Sequence, residues 1–123
     1  MNKYALRLPD YLRHMLSAIE RVADYLTDHD EVSFLQTPML QDAVIRNIEI
    51  IGEAANNVGK AEPRMSQLHP EIPWEEIYAM RNRVAHGYFA VDMHVVWQTA
   101  SRDLPQLHAE LQALLRSLEQ SKP

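Results

Sequence analysis

Apolar residues recur every three or four positions at the start of the chain, at Leu12, Met15, Leu16, Ile19, Val22, Ala23 and Leu26. That period places them on one stripe and predicts an amphipathic helix over residues 10–26. The polar run TDHDE (27–31) ends it. The next segment, SFLQ (33–36), is too short to fix a period and reads as a turn. A second helix opens at Thr37-Pro38, an N-cap residue followed by proline at the first helical position. Leu40, Val44, Ile48, Ile51 and Ala55 form its stripe. Ile45 and Ile50 widen that stripe, so this helix is expected to be central and contacted on two sides. Gly59 reads as its stop. Gly52, in mid-helix, costs about 1 kcal/mol relative to alanine, and close approach of another helix would explain it.

Residues 60–72 contain Pro63 and Pro70 and read as a connection with room for one helical turn. Pro73 begins a third helix, with Glu75 and Glu76 in the first turn, where the helix dipole favours acids. It should end near Gly87. Asp92 is suited to cap a last helix over residues 93–120. Pro105 interrupts that pattern and predicts a kink. Four helices with short connections predict an all-α, antiparallel four-helix bundle with a kinked last helix, as one domain spanning residues 1–123.

Composition narrows the chemistry. Apolar residues make up 46% of the chain and only three are glycine, which opposes both disorder and an all-β fold. Without cysteine there are no disulfides and no thiolate metal sites. No apolar run approaches the ~20 residues of a membrane span. The start, MNKYALRLPDYLRH, is too polar for a signal peptide, so a cytoplasmic protein without a membrane partner is expected. The net charge of −5 argues against a protein that coats nucleic acid, although it leaves room for a local basic cleft. Nine of the twelve cations are arginine, whose planar fork suits phosphate and structural ion pairs alike. His14, His29, His69, His94 and His108 show no i,i+4 ligand spacing with one another or with His86, so they read as surface residues. Neither a metal nor a cofactor is expected. Trp74 and Trp97 read as core or dimer-interface anchors, and Met15, Met39, Met80 and Met93 as core fillers.

One stretch does not fit a packing code: RNRVAHGY, residues 81–88. Asn82 and His86 are four apart and share a helix face, whereas Arg81 and His86 differ by about 140° on an unbroken helix. A helix whose last turn loosens at the histidine would turn both groups toward one cleft. Arginine supplies a permanent charge and paired donors for phosphate, and histidine exchanges a proton near neutral pH. Together they suffice for attack of an RNA 2′-hydroxyl on its own phosphate, with the arginine stabilising the charge that grows on the phosphoryl oxygens. The alternative is a solvated helix end, with Arg81 paired to Glu75 or Glu76 and His86 resting on the helix dipole. Asp42, Arg46, Glu49, Glu53 and Asn56 recur on one face of the second helix. They read either as a solvated face with pairs such as Arg46 with Asp42 or Glu49, or, for Arg46 and Glu53, as the lining of the cleft beside His86.

RNRVAHGY resembles the Arg-x4–6-His-x-Tyr signature of HepT-like proteins in the HEPN superfamily of helical ribonuclease-like domains. The similarity extends through DYLRHMLSAIERVADYL, DAVIRNIEIIGEAANNV (42–58), IPWEEIYAMRNRVAHGYFAVD (72–92) and VVWQTASRDLPQLH (95–108), nearly the whole chain. The resemblance implies a HEPN-like helical homodimer in which two signature motifs meet at a cleft. It implies a toxin of a type VII-like two-gene toxin–antitoxin module, acting as a metal-independent RNA endonuclease whose antitoxin is a minimal nucleotidyltransferase. Arg81 and His86 would be catalytic, Asn82 their polar neighbour, and Tyr88 the acceptor of AMP from that antitoxin. The competing expectation is a module without catalysis that binds a nucleotide or the transferase.

Overall fold

In the computed structural model residues 7–86 and 92–120 are described, with backbone alone for 83–86. Gly87, expected as a helix stop, and Tyr88 lie outside the described residues, as does the side chain of His86. The described elements are all helical: α1 (Leu8–Leu26), α2 (Glu31–Leu35), α3 (Pro38–Ala61), α4 (Met65–Leu68), α5 (Trp74–His86), α6 (Met93–Gln98), a π-helical turn (Thr99–Asp103) and α7 (Leu104–Gln120). None is long and apolar enough to cross a membrane.

Helix α1 buries Leu12, Met15, Leu16, Ile19 and Val22 as its spacing predicts, and Ala18 takes the inward place expected of Ala23, which is exposed. Its main partner is α3, a 24-residue helix about 36 Å long. The pairing is antiparallel: Arg21, late in α1, donates through Nε to Oδ1 of Asn47, early in α3, at 2.9 Å. Asn47 is buried and returns its amide to the Ala43 carbonyl at 2.9 Å, so its polar atoms are satisfied in the core. Helix α7 runs back along α1, because Arg13 near the start of α1 pairs with Glu119 at 2.7 Å and Glu20 near its end meets His108 at 2.8 Å.

Three local expectations are corrected. SFLQ is not a turn, since Asp30 and Ser33 form a reciprocal capping box that starts the short helix α2 and buries Phe34. Gly59 does not stop α3, which continues to Ala61 because Val58 and Ala61 still have core to fill. Met39 is no core filler: it lies in the first turn of α3 and is 82% exposed. Thr37 holds the N-cap position without a side-chain cap bond, and its hydroxyl donates instead to the Ser33 carbonyl at 2.6 Å.

The last helix is interrupted as Pro105 predicts. Proline lacks the N–H that an α-helix would use and its ring crowds the preceding turn. The chain accommodates this one turn earlier with the π turn, in which Leu104 N–H reaches back five residues to the Thr99 carbonyl. Asp92 caps α6 by accepting from His94 N–H at 2.9 Å. Helix α2 rests on α3 and α6, with Phe34 against Trp97 at a ring-centroid separation of 5.5 Å.

Helices α1, α3, α5 and α7 thus occupy the places of a bundle, but one seam is open. Among the described residues α5 packs closely only on α3, and a groove of about 510 Å³ separates it from α6, the π turn and α7.

Candidate active site

Helix α5 carries the polar motif, and its attachment determines where the motif stands. Trp74 anchors the first turn in the core, with its indole N–H reaching the His69 carbonyl at 3.3 Å. One turn on, the Tyr78 hydroxyl donates to the Ala55 carbonyl of α3 at 3.3 Å. Burial, and then the neighbouring Glu75 carboxylate, push that phenol above its ordinary pKa, so it is a neutral donor. The next contact toward the C-terminus is the tightest. A Cβ placed on Gly52 would overlap Cβ and Cγ of Arg81 and lie 3.5 Å from its Cα. The glycine in α3 therefore exists for the close helix approach that its mid-helix position suggested, and its partner is the motif arginine.

The stem of Arg81 is consequently fixed against α3 while its guanidinium extends past the contact. Its terminal nitrogen donates to Oδ1 of Asn82 at 3.3 Å. Among the described residues it forms no ion pair, so Glu75 and Glu76 do not neutralise it there. The backbone remains α-helical through His86, the last residue of α5, so the expected loosening of the last turn is not present and Arg81 and His86 stand about 140° apart around the helix. Arg81, Asn82 and His86 thus belong to one helix end, and the first two form a linked pair.

The other two candidates, Arg46 and Glu53, lie on α3. Arg46 pairs with Glu49 at 3.5 Å on an exposed face. Glu53 lines a polar groove of about 340 Å³ on the α1 side, together with His14, Arg21 and Asn57. Among the described residues no three His, Asp or Glu side chains are grouped to hold a metal ion. The open α5–α7 groove beside the motif helix carried no signal in the sequence, because its walls come from segments far apart in the chain.

A family model described as ribonuclease HepT-like matches residues 15–114. The chain belongs to the HepT-like family. A probable ribonuclease HepT of Thermococcus cleftensis is 41% identical over 105 residues, covering 85% of this HepT-like chain and 93% of the relative. A protein of Methanocaldococcus jannaschii, named gamma-glutamylcyclotransferase and candidate RNase, is 38% identical over 91% of the chain, which spans 49% of that larger protein. A candidate RNase of Caldanaerobacter subterraneus is 32% identical over 86% of the chain and 92% of its own length. No solved structure matches.

Proposed function

We propose that this HepT-like protein is an RNA endonuclease that needs no metal, the toxin of a two-gene module, with Arg81 and His86 as its catalytic residues. The observation that carries the reading is the arginine: its stem is held against Gly52 at the motif-bearing end of α5, and no acid among the described residues neutralises it. Asn82 orients the guanidinium through the 3.3 Å hydrogen bond. A phosphodiester placed on Arg81 has its non-bridging oxygens paired with parallel N–H donors. His86 removes the proton of the adjacent 2′-hydroxyl, O2′ attacks phosphorus, and the bond from phosphorus to O5′ breaks. O5′ takes a proton from a second imidazole or from water, and the products are a 2′,3′-cyclic phosphate and a 5′-hydroxyl. As charge grows on the phosphoryl oxygens, the fixed arginine stabilises it without reorganising. A homodimer would bring a second copy of the histidine to the same cleft and supply the returning proton.

The antitoxin in this reading is a minimal nucleotidyltransferase that adds AMP to Tyr88, two residues beyond His86. A phosphate and a nucleoside there oppose RNA by like charge and by occlusion. The net charge of −5 favours a second reading, a module that binds a nucleotide or the transferase and leaves chemistry to the partner. Purified, unmodified protein distinguishes the two. In EDTA it should cut RNA and leave a cyclic phosphate, and His86→Ala should lower the rate by a factor on the order of 10²–10⁴ with an unchanged circular-dichroism melt. No cleavage, or cleavage only with a divalent ion, rejects the proposal. Tyr88→Phe should cleave normally yet gain no adenylyl mass when co-expressed with the transferase, and a modified mutant would refute that role.

A further inference from the structure

The open seam between α5 and α7 has a composition of its own. Its floor is aliphatic, built from Ile48 and Ile51 of α3, Ile77 and Met80 of α5, and Leu104 and Leu107 of α7. Val95 of α6, 37% exposed, stands at its edge. Among the described residues its charged lining is acidic: Glu71 and Glu76 on the α5 side, Asp103 and Glu110 on the other. Glu71 has His69 within 3.3 Å. Glu76, Asp103 and Glu110 form no ion pair among the described residues. These acids are not gathered as a metal site, so their charges suit a ligand whose cations are spread along its length. RNA, with its phosphates, is repelled by such a rim. We infer that the groove is a docking site for a partner protein's amphipathic helix, with an aliphatic face for the floor and lysine or arginine along its flanks.

Three features support this occupant. The floor offers the continuous apolar strip that a helix lays its anchors into, with the flexible Met80 able to adapt to them. The rim offers attraction on both long sides, which fixes register and excludes acidic segments. The π turn contributes Thr99 and Asp103 to the lining, so an irregularity of the last helix falls within the groove, as such turns often do at functional positions. The docked helix would also supply the packing that α5 lacks on this side. Met80 precedes Arg81, so the partner would bear directly on the turn that carries the arginine. This site stands whether or not the protein cleaves RNA.

The test uses the full chain and two labelled helical peptides of equal hydrophobicity, one with leucine and lysine, the other with leucine and glutamate. Fluorescence anisotropy should show saturable binding of the first and none of the second. Glu76→Gln/Glu110→Gln should weaken binding roughly three- to tenfold, as expected for two partly exposed pairs. Val95→Lys should weaken it through charge and bulk, and Asp24→Asn, outside the groove, should not. Because Glu76 and Val95 are exposed, their variants are expected to fold, and unchanged melting curves confirm that each is a fair comparison. Equal binding of both peptides, or indifference to the groove variants, overturns the inference. So does sedimentation velocity in which Val95→Lys alone splits a dimer, because a second copy of the chain would then be the occupant.

Discussion

At Gly52 one added methyl group would enter space that the Arg81 stem already fills. Gly→Ala in a helix ordinarily gains about 1 kcal/mol. Here it forces α5 away from α3, and overpacking of this kind costs about 1–3 kcal/mol. Gly52→Ala should therefore lower Tm, by roughly 3–6 °C if the net loss is near 1 kcal/mol, and should reduce RNA cleavage further than stability alone explains. Thermal melts and cleavage assays below the transition separate the two effects. Gly59→Ala is the control: its Cβ would meet only the terminal oxygen of Tyr78, at 3.0 Å, which can shift at a small cost. The residue scale was partly legible. RNRVAHGY stood out because charged and amide groups stand where a core-facing helix wants apolar ones. Gly52 announced a close approach but not its partner, since nothing local to residue 52 specifies contact with residue 81. Met39 and Ala23 misled because period alone does not say where neighbouring helices end.

Among the elements, α2 shows why short pieces escape a periodicity argument. Five residues contain barely more than one turn, and the helix depends on its cap rather than on a stripe. The hydrogen bond from Ser33 N–H to Asp30 holds that carboxyl below its ordinary pKa. Its folded pKa is depressed, so its contribution is present above the unfolded pKa and is lost as pH falls through the folded one. The link from α2 to α6 has the opposite sign. His94 Nδ1 meets Glu31 at 2.7 Å, and that hydrogen bond raises the imidazole pKa, with Glu31 and Asp92 charge adding to it. Its contribution is fully present below the unfolded pKa of about 6.5 and disappears as pH rises through the folded value. In an NMR titration, Glu31→Gln should move His94 back toward the ordinary range, and the stability difference between wild type and variant should vanish at alkaline pH. The four long helices and the break at Pro105 were legible from spacing and proline. The π turn was not, because it is the backbone's answer to a proline that lies further along the chain.

On the scale of the molecule, the all-α architecture followed from the apolar periods, whereas the open seam depends on how far α5 stands from α7. Symmetric association remains the expectation for the whole protein: two copies of a helix end bearing Arg81, Asn82 and His86 would make one cleft out of two half-sites. Sedimentation velocity at micromolar concentration should give a dimer, and a monomer under cleaving conditions would remove the composite cleft. The one-sided attachment of α5 has a further consequence. Helices α1, α3 and α7 are joined by packing, and α1 and α7 also by the Arg13–Glu119 ion pair and the Glu20–His108 hydrogen bond, but among the described residues α5 depends on the narrow strip through Trp74, Tyr78 and Arg81. The free energy needed to lift α5 from the rest is then smaller than that of global unfolding. Its amides should exchange with deuterium ahead of those of α1 and α3, through openings that leave the remaining helices folded. The molecule thus keeps its motif-bearing helix on a detachable mount, and anything that grips or releases that mount sets how often the arginine is in position.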